Sequence, residues 1–225
     1  MDKDSTHPHP AGTGRTRRRR GFLSREVILD AAEAAAAQGF DALTMRAVAA
    51  RLGAVPMALY NHFATKEQLV DALLDRVLSR FEPEPAGEDW TDDLRRFACA
   101  HRRLLVAHPW AVAPLFTQPN PGMSSVRIGE HALGILRRAG FSNPQAVAAF
   151  SGIIALNYGW SSFTSARELD PQGLSHDVGA TLAALPVTDY PLTVDVAGEM
   201  GDYGSDRHYD FVLDRLLDGL RETAP

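Results

Sequence analysis

Apolar residues recur at helical spacing along most of the chain. In the first such stretch, apolar side chains fall every three or four positions, at Val27, Ile28, Ala31, Ala32 and Ala35. This spacing places them on one face of a helix. Glycine and proline residues separate the apolar stretches, and the sequence lacks the sustained alternation of apolar and polar residues that marks a half-buried strand. The pattern predicts an all-α protein with nine or ten helices.

Capping residues and helix breakers set the bounds of these predicted helices. A Ser, Thr or Asn residue that can cap the first turn stands at most of the starts, and Gly or Pro stands near most of the ends. With their caps, the predicted helices span about 24–39, 44–53, 56–62, 65–78, 91–107, 109–116, 124–139, 143–167, 170–185 and 205–221. Residues 118–122 and 186–204 are expected to be loops because they are rich in Pro and Gly.

The chain divides into three segments by composition. Residues 1–22 combine Pro, Gly and Arg with little apolar material and are expected to form a disordered basic arm. Residues 23–70 hold the first, short helices, and residues 71–225 form a larger helical body. At roughly 150 residues per domain, the length allows one or two domains and is sufficient to bury a core.

The net charge of −5 is unevenly distributed along the chain. The first 80 residues carry 12 Lys and Arg against 9 Asp and Glu, whereas the remaining 145 carry 11 against 19. A basic head on an acidic body indicates that the head faces an anion. The densest basic cluster comprises Arg15 and the run Arg17, Arg18, Arg19 and Arg20. Such a run can also be an idle solvated tail, so its role depends on the domain that follows it.

Composition also excludes several classes of protein. No run approaches the roughly 18 apolar residues of a membrane-spanning helix, and the N-terminus lacks the apolar core of a signal peptide. We therefore expect a cytoplasmic protein with no membrane partner. Cys99 is the single cysteine of the sequence, which excludes an intramolecular disulfide. The eight histidines are scattered, and no nucleophile elbow or glycine-rich phosphate loop occurs. We expect no enzyme activity, no cofactor and no metal site.

Residues 44–63 have the pattern of a helix-turn-helix. Two short predicted helices meet at Gly53, where the backbone needs a conformation that is awkward for other residues. Ala49, Leu52, Leu59 and Phe63 are expected to face inward and set the crossing of the two helices. The second helix of such a motif enters the major groove of DNA. The side chains left to face out are Met57, Ala58, Tyr60, Asn61 and His62.

The same stretch resembles the TetR family of transcriptional regulators. The resemblance covers about 50 consecutive residues without a gap and rests on Gly39-Phe40, Leu43 to Ala49, Leu59 to Phe63 and Lys66 to Leu69. It implies an N-terminal three-helix DNA-binding domain followed by a larger helical domain for ligand binding and dimerisation. It also implies DNA contacts by Thr44 and Arg46 at the first helix of the motif, by Met57, Ala58, Tyr60 and His62 on the recognition helix, and by Lys66 on a phosphate.

Two features adjoin this resemblance. Met57 and Ala58 are apolar at contact positions, which favours contact with thymine methyl groups over hydrogen-bonded readout of bases. The arginine run lies directly before the first helix of the DNA-binding domain. There, Arg17, Arg18, Arg19 and Arg20 are predicted to track phosphates or to enter the minor groove.

The body resembles, less strongly, the ligand-binding domain of the tetracycline-repressor branch of this family. The matching segments are 102–105, 108–111 and 136–141, followed by a long helix. In that branch, the long helix and the last helix pack against a second subunit as a four-helix bundle, which implies a homodimer and a palindromic operator. The apolar face of the last helix is the candidate for this contact, and it consists of Tyr209, Leu213, Leu216, Leu217 and Leu220. The same residues can equally belong to the core of a single chain.

The body also departs from that branch where the drug binds. The positions corresponding to the magnesium ligand and drug contacts fall near Pro114, Ala132 and Ala155, which cannot provide that chemistry, so a tetracycline sensor is not favoured. A pocket with few polar groups indicates a small hydrophobic effector instead. Asn157 stands out, since a buried amide needs a hydrogen-bond partner. The candidate ligand-binding residues, most of which can also be core, are Phe97, His101, Trp110, Phe116, Thr117, His131, Phe150, Asn157 and Tyr158.

These inferences predict a ligand-responsive transcriptional repressor. It would bind double-stranded DNA at a palindromic operator as a homodimer and be released by a small hydrophobic effector. Two alternatives stay open: a transcriptional activator of the same fold, and a helical small-molecule-binding module without operator binding.

Overall fold

The regular structure of the chain is helical throughout the part described. The computed structural model describes residues 23–117, 122–169 and 176–224, and within these ranges no strand occurs. The predicted all-α class is therefore confirmed. The same ranges contain eleven α-helices and three short 3-10 helices, against the nine or ten helices predicted. The predicted basic arm 1–22, most of the predicted loop 118–122 and the start of the predicted helix 170–185 lie outside the described residues.

Four helices make up the N-terminal part of the described chain. Helices α1, α2 and α3 form the head, and α4 leads from the head into the body. Their bounds are α1 Arg25–Ala36, α2 Met45–Leu52, α3 Pro56–Tyr60 and α4 Lys66–Leu78, with a 3-10 helix at Phe40–Ala42 between the first two.

Seven further helices build the body. The long helix α8 is its central element and packs against α5, α7 and α11. The bounds are α5 Trp90–Ala107, α6 Val112–Thr117, α7 Met123–Arg138, α8 Asn143–Leu169, α9 His176–Ala183, α10 Pro191–Asp195 and α11 Asp206–Thr223, with 3-10 helices at Pro109–Ala111 and Glu199–Asp202. Among the described residues, no helix combines the length and apolar character needed to cross a membrane.

Three predicted helix caps are confirmed. Ser24, Thr44 and Thr65 each accept a hydrogen bond from a backbone N–H in the first turn of α1, α2 and α4, and Ser205 does the same for α11. This satisfies one of the donors that the start of a helix leaves unpaired. The predicted cap of α5 at Thr91 is wrong, because Asp89 takes that role and accepts from the backbone N–H of Thr91 at 2.7 Å.

Several predicted bounds also differ from the structure. Helix α1 ends at Ala36 rather than at Gly39, which follows with a φ of 115°. Helix α3 ends at Tyr60, two residues before the predicted end. The predicted loop 186–204 contains α10 and a 3-10 helix, because Pro191 occupies the first turn of α10, where its missing N–H costs nothing.

The head is held together by the inner face of α1. Ile28, Leu29, Ala32 and Ala35 are buried there, and α1 packs against α2 and α4. Val27, predicted to belong to this face, is 40% exposed. Leu29 is buried instead of Val27, so the buried face of α1 is rotated slightly about the helix axis from the predicted face.

Helix α4 connects the head with the body. It packs against α1 on one side and α7 on the other. Arg76 donates to Asp30 on α1 at 2.5 Å, and Arg80 donates to both carboxylate oxygens of Glu33 at 2.6 and 2.8 Å. The hydrogen bonds from Arg80 lower the pKa of Glu33 below its usual value. These ion pairs tie the C-terminal end of α4 and the turn after it to α1 of the head.

Candidate nucleic-acid interface and ligand cavity

The turn between α2 and α3 has the geometry of a helix-turn-helix. Gly53 adopts the left-handed conformation with φ 63° and ψ 29°, and the backbone N–H of Ala54 donates to the carbonyl of Ala49 at 2.9 Å. Only glycine adopts this conformation without strain. Val55 is extended, as expected for a residue before proline, and α3 begins at Pro56 directly after it.

Inward-facing residues fix the orientation of α3 as predicted, with one exception. Ala49, Leu59 and Phe63 are buried in the head, whereas Leu52 is only partly buried. These contacts orient the opposite face of α3 towards solvent. On that face Met57 is 71% and Tyr60 42% exposed. The predicted DNA-contacting face of α3 is therefore accessible from solvent.

The remaining predicted DNA-contacting residues lie around this face. Arg46 and Asn61 are exposed, and Thr44 uses its hydroxyl to cap α2 by accepting from the backbone N–H of Ala47 at 3.1 Å. Ala58 and His62 are half-buried. The predicted arm residues Arg17, Arg18, Arg19 and Arg20 lie outside the described residues.

Lys66 is held at the first residue of α4. Its Nζ lies 5.5 Å from the centroid of the Phe40 ring, which is a cation–π contact. The N-terminus of a helix has unpaired backbone N–H groups and a positive dipole end. A lysine placed beside it makes this corner of the head suited to a phosphate.

Arg25 is a supporting residue that sequence reasoning missed. Its guanidinium donates to the backbone carbonyl of His62 at 2.7 Å and lies 4.1 Å from the centroid of the Phe63 ring. It thereby ties the segment directly after α3 to α1. The partners are 37 residues apart in sequence, so no local pattern could have indicated the contact.

A cavity of about 310 Å³ in the body is open to solvent on one side, where Phe116 is exposed. Helices α4 to α8 all contribute to its lining, which is mainly apolar. Of the nine predicted ligand-binding residues, the structure brings four together here: His101, Phe116, Phe150 and Tyr158. The lining residues that were not predicted are Leu78, Leu115, Ser125, Ile128, Ser151, Ile154 and Ala155.

Four other predicted ligand-binding residues lie away from this cavity. Phe97 stacks on the far side of His101, with centroids 6.1 Å apart and planes 5° from parallel. Phe97 and His131 border a narrow cleft next to Arg138. Thr117 lies on a different cleft with Phe40 and Lys66, between head and body. Trp110 is packed in the core. The separation arises because these side chains project from other faces of their helices.

Asn157 has the buried hydrogen-bond partners that its position requires, but it does not line the cavity. Its Nδ2 donates to the carbonyl of Ala98 at 2.9 Å and lies 3.1 Å from Nδ1 of His101. Its Oδ1 accepts from the hydroxyl of Tyr209 at 2.8 Å. Burial lowers the pKa of His101 to about 4 and raises the pKa of Tyr209. The three side chains therefore form a neutral network behind the cavity wall.

The last helix presents a different face to solvent from the one predicted for dimer contact. Tyr209, Leu213 and Leu217 are buried within their own chain, where α11 packs against α5 and α8. This corrects the expectation that these three side chains are available to a partner. Leu216 and Leu220 are half-buried.

Aromatic side chains lie on the outer side of α11 and α8. Phe211 is 64% and Phe163 38% exposed. Together with Trp160 and Tyr203 they border a cleft of about 320 Å³. The sequence pattern predicted that the apolar stripe of α11 contacts a second subunit, whereas the exposed Phe211 lies on the side of the helix opposite to that stripe.

Comparison with known proteins identifies the two parts of the chain. The family model "Bacterial regulatory proteins, tetR family" matches residues 28–73, and "Tetracyclin repressor-like, C-terminal domain" matches residues 82–224. An HTH-type transcriptional regulator of Saccharopolyspora erythraea is 32% identical over 211 residues, which are 92% of this chain and 88% of that protein. The HTH-type transcriptional repressor DrrR1 of Streptomyces coeruleorubidus is 31% identical over 209 residues, covering 86% of this chain and 75% of that protein.

A solved structure confirms the likeness in three dimensions. The crystal structure of the TetR family protein ActR from Streptomyces coelicolor, in complex with actinorhodin, has a TM-score of 0.79 and 25% sequence identity. The match covers 91% of this chain and 99% of that one. The relatives named here are regulators and not enzymes, in agreement with the prediction of no enzyme activity. With a head and a body that each match its models, the chain belongs to the TetR family of transcriptional regulators.

Proposed function

We propose that this chain is a transcriptional repressor that binds a palindromic operator as a homodimer and is released by a small hydrophobic effector. The observation that carries the proposal is that one helix serves both sites. Leu78, the last residue of α4, lines the cavity, while Arg76 of the same helix and Arg80 in the turn that follows it are paired with α1 of the head. An occupant of the cavity therefore contacts the element that supports the DNA-binding surface.

The release mechanism follows from linkage between the two sites. A dimer places two recognition helices about 34–36 Å apart to read successive major grooves on one side of DNA. An effector lowers DNA affinity only in so far as it binds a different spacing of the heads more tightly. The contact of the cavity with α4 supplies a physical route for such a preference.

The DNA interface proposed here keeps the predicted residues. Arg46, Met57, Tyr60 and Asn61 are exposed on one side of the head, which supports direct contact with the major groove. Thr44, Ala58 and His62 border this side, and Lys66 is proposed to bind a phosphate. Arg17, Arg18, Arg19 and Arg20 are proposed to add sequence-independent contacts to the backbone of the DNA.

The homodimer proposed here uses the outer faces of α8 and α11. Val147, Phe163 and Phe211 are 53%, 38% and 64% exposed, and Phe163 and Phe211 border one cleft, which offers apolar surface for a second copy to cover. Leu216 and Leu220 on α11 are half-buried. Two copies related by a two-fold axis would bury the same face on both subunits.

The effector is proposed to be aromatic and poor in charge. The cavity is lined by three aromatic rings and several aliphatic side chains, and such linings bind hydrophobic molecules. ActR was crystallised with actinorhodin, which supports a small-molecule effector for this fold. Pro114 and Ala132 are buried and apolar, which argues against a tetracycline–magnesium site.

We propose that the protein works in the cytoplasm, where its DNA is.

Titration of DNA against the protein tests the proposal. A duplex carrying the region upstream of the coding sequence is followed by fluorescence anisotropy at moderate salt, with a scrambled duplex as control. Specific binding is expected, and the lack of it would favour the helical small-molecule-binding module. A transcription assay on the same duplex separates repressor from activator, since only a repressor lowers transcript yield when it binds.

A further inference from the structure

His101 stands where the cavity meets the buried network of Asn157 and Tyr209. Its ring lines the cavity, yet only 2% of the residue is exposed. On the other side, Nδ1 lies 3.1 Å from Nδ2 of Asn157. The state of this imidazole is therefore set by the network behind it and is felt by whatever occupies the cavity.

The orientation of Asn157 follows from its neighbours. The backbone carbonyl of Ala98 can only accept a hydrogen bond, so the Asn157 atom that faces it at 2.9 Å must be the amide nitrogen. The opposite atom, Oδ1, is then free to accept from the Tyr209 hydroxyl at 2.8 Å. Both contacts agree on a single orientation of the amide.

This orientation determines the tautomer of His101. The Asn157 amide nitrogen is a donor, so the Nδ1 atom that it faces must be an acceptor without a proton. Burial keeps the ring neutral at physiological pH, because the pKa of His101 is lowered to about 4. A neutral imidazole carries one proton, and here that proton must be on Nε2.

The Nε2–H group has no acceptor among the described residues. Hydrogen bonds of His101 in this part of the chain involve Nδ1 alone. The side-chain atoms there that are fully buried without a hydrogen-bond partner are Arg76 Nη1, Arg102 Nε and Ser161 Oγ. His101 Nε2 is not one of them, so it is not closed off from the cavity. A buried donor without a protein partner is costly unless water or a ligand satisfies it. The group is therefore a fixed donor at the cavity wall.

We propose that the Nε2–H of His101 selects, among aromatic effectors, those that carry a carbonyl oxygen. The inference rests on the proposed function and specifies the effector class of the same cavity. Phe116, Phe150 and Tyr158 offer ring contacts, but they discriminate little between one flat molecule and another. The hydroxyls of Ser151 and Tyr158 can donate or accept, so they tolerate either kind of polar group. The hydroxyl of Ser125 already donates to the carbonyl of Gly122 at 2.7 Å. His101 is different because it can only donate.

The tautomer is tested first, without any ligand. Two-dimensional ¹⁵N–¹H NMR of the histidine side chains, with His101→Phe used to assign the signals, reports which ring nitrogen is protonated. The pattern of an Nε2–H tautomer is expected at neutral pH. Protonation at Nδ1 would overturn the inference, as would a freely exchanging mixture of tautomers.

The selectivity is tested with two probes that differ by one functional group. 9-Fluorenone has a carbonyl where fluorene has a methylene, on the same three-ring framework. Isothermal titration of each probe into the wild-type chain is expected to give roughly tenfold tighter binding of the ketone, the gain typical of one hydrogen bond. Equal affinity for the two probes contradicts the proposal, and so does a failure of the ketone to bind.

Three variants locate the preference. His101→Phe keeps a flat ring and removes the donor, so the ratio of affinities is expected to fall to about one. His131→Phe is the matched control, because His131 lies outside the lining of this cavity, and it should keep the ratio. Tyr158→Phe should also keep it, and loss of the preference in this variant instead of His101→Phe would move the assignment to Tyr158. Circular dichroism checks that each variant is folded.

The outcome is separable from that of the proposed function. DNA titration is measured on the same preparations with and without 9-fluorenone. A tenfold ketone preference without specific DNA binding leaves the inference intact and refutes the repressor. Specific DNA binding without a ketone preference refutes the inference about His101 and leaves the proposed repressor intact.

Discussion

The hydroxyl of Tyr209 donates a hydrogen bond to Oδ1 of Asn157 at 2.8 Å and so ties the last helix to the middle of α8. Both side chains are buried, and the amide of Asn157 continues the connection to α5 at the carbonyl of Ala98. Polar groups in an apolar core are stabilising only when every partner is in place. This network therefore determines how α5, α8 and α11 fit together.

Tyr209→Phe is expected to lower the free energy of unfolding by about 1–3 kcal/mol. The substitution keeps the ring, including its contact with the Arg102 guanidinium at 4.3 Å, but leaves Oδ1 of Asn157 buried without a donor. Urea unfolding followed by circular dichroism measures the change. Tyr190→Phe removes the hydroxyl of a residue that is 52% exposed and should change stability by less than about 0.5 kcal/mol. Equal effects of the two substitutions would contradict the role of the bond.

Local signals in the sequence were sufficient to predict the head. Thr44, Gly53 and Thr65 act through neighbours within four residues, so their caps and turn can be inferred without knowledge of the tertiary structure. The contact of Arg25 with His62 could not be inferred in this way, because it depends on the packing of α1 beside α3.

The body was harder to predict for the same physical reason. Apolar spacing identifies which side of α11 is buried, but the same spacing serves a core and a subunit contact, and Leu213 turned out to lie in the core. The cavity was only partly predicted because aliphatic lining residues such as Leu78 and Ile128 look like any other core residue. The need of Asn157 for a buried partner was the signal that identified the network.

Stability is expected to fall as the pH is lowered from about 6.5 to 4. The pKa of His101 is 6.5 when unperturbed and about 4 in the folded chain. Between these values the unfolded chain binds a proton that the folded chain does not, so protonation favours unfolding. Stability is fully present above pH 6.5, and the loss through this window amounts to roughly 3 kcal/mol. Urea unfolding at a series of pH values measures it.

Variants separate this effect from other titrations. In His101→Phe, most of the slope between pH 6.5 and 4 should disappear. His131, whose pKa is also lowered by burial, contributes in the same direction, so His131→Phe should remove a smaller part. The pKa values of Glu33 and Asp89 are lowered from 4.5 and 3.8, so the loss of stability from Glu33 begins at the lower end of this window and that from Asp89 lies mainly below it. A slope that is unchanged in His101→Phe would show that the ring is not buried in its neutral form.

Lys66→Gln is expected to weaken DNA binding in a salt-dependent way. A lysine bound to one phosphate releases counterions, so its removal should lower the slope of log K against log salt by about 0.9 for each subunit. Anisotropy titrations at several salt concentrations, with a duplex enriched from a random pool by the wild-type chain, provide the slope. Arg103→Gln removes a positive charge from a side chain of the body that is 69% exposed and should leave the slope unchanged. A slope that Lys66→Gln does not alter would exclude a phosphate contact.

Phe211→Asp is expected to separate the subunits without unfolding them. Phe211 is 64% exposed, so a carboxylate there is solvated in a single chain but would be buried in the proposed dimer, at a cost that association cannot offset. Light scattering should report the mass of a monomer, and circular dichroism should report unchanged helicity. Because the two heads then bind DNA independently, the affinity for a palindromic duplex should fall by about 100-fold or more. Leu213→Asp is the matched comparison: Leu213 is fully buried in its own chain, so the same carboxylate there should unfold the body. A Phe211→Asp protein that remains dimeric, with wild-type affinity for DNA, would place the subunit contact elsewhere.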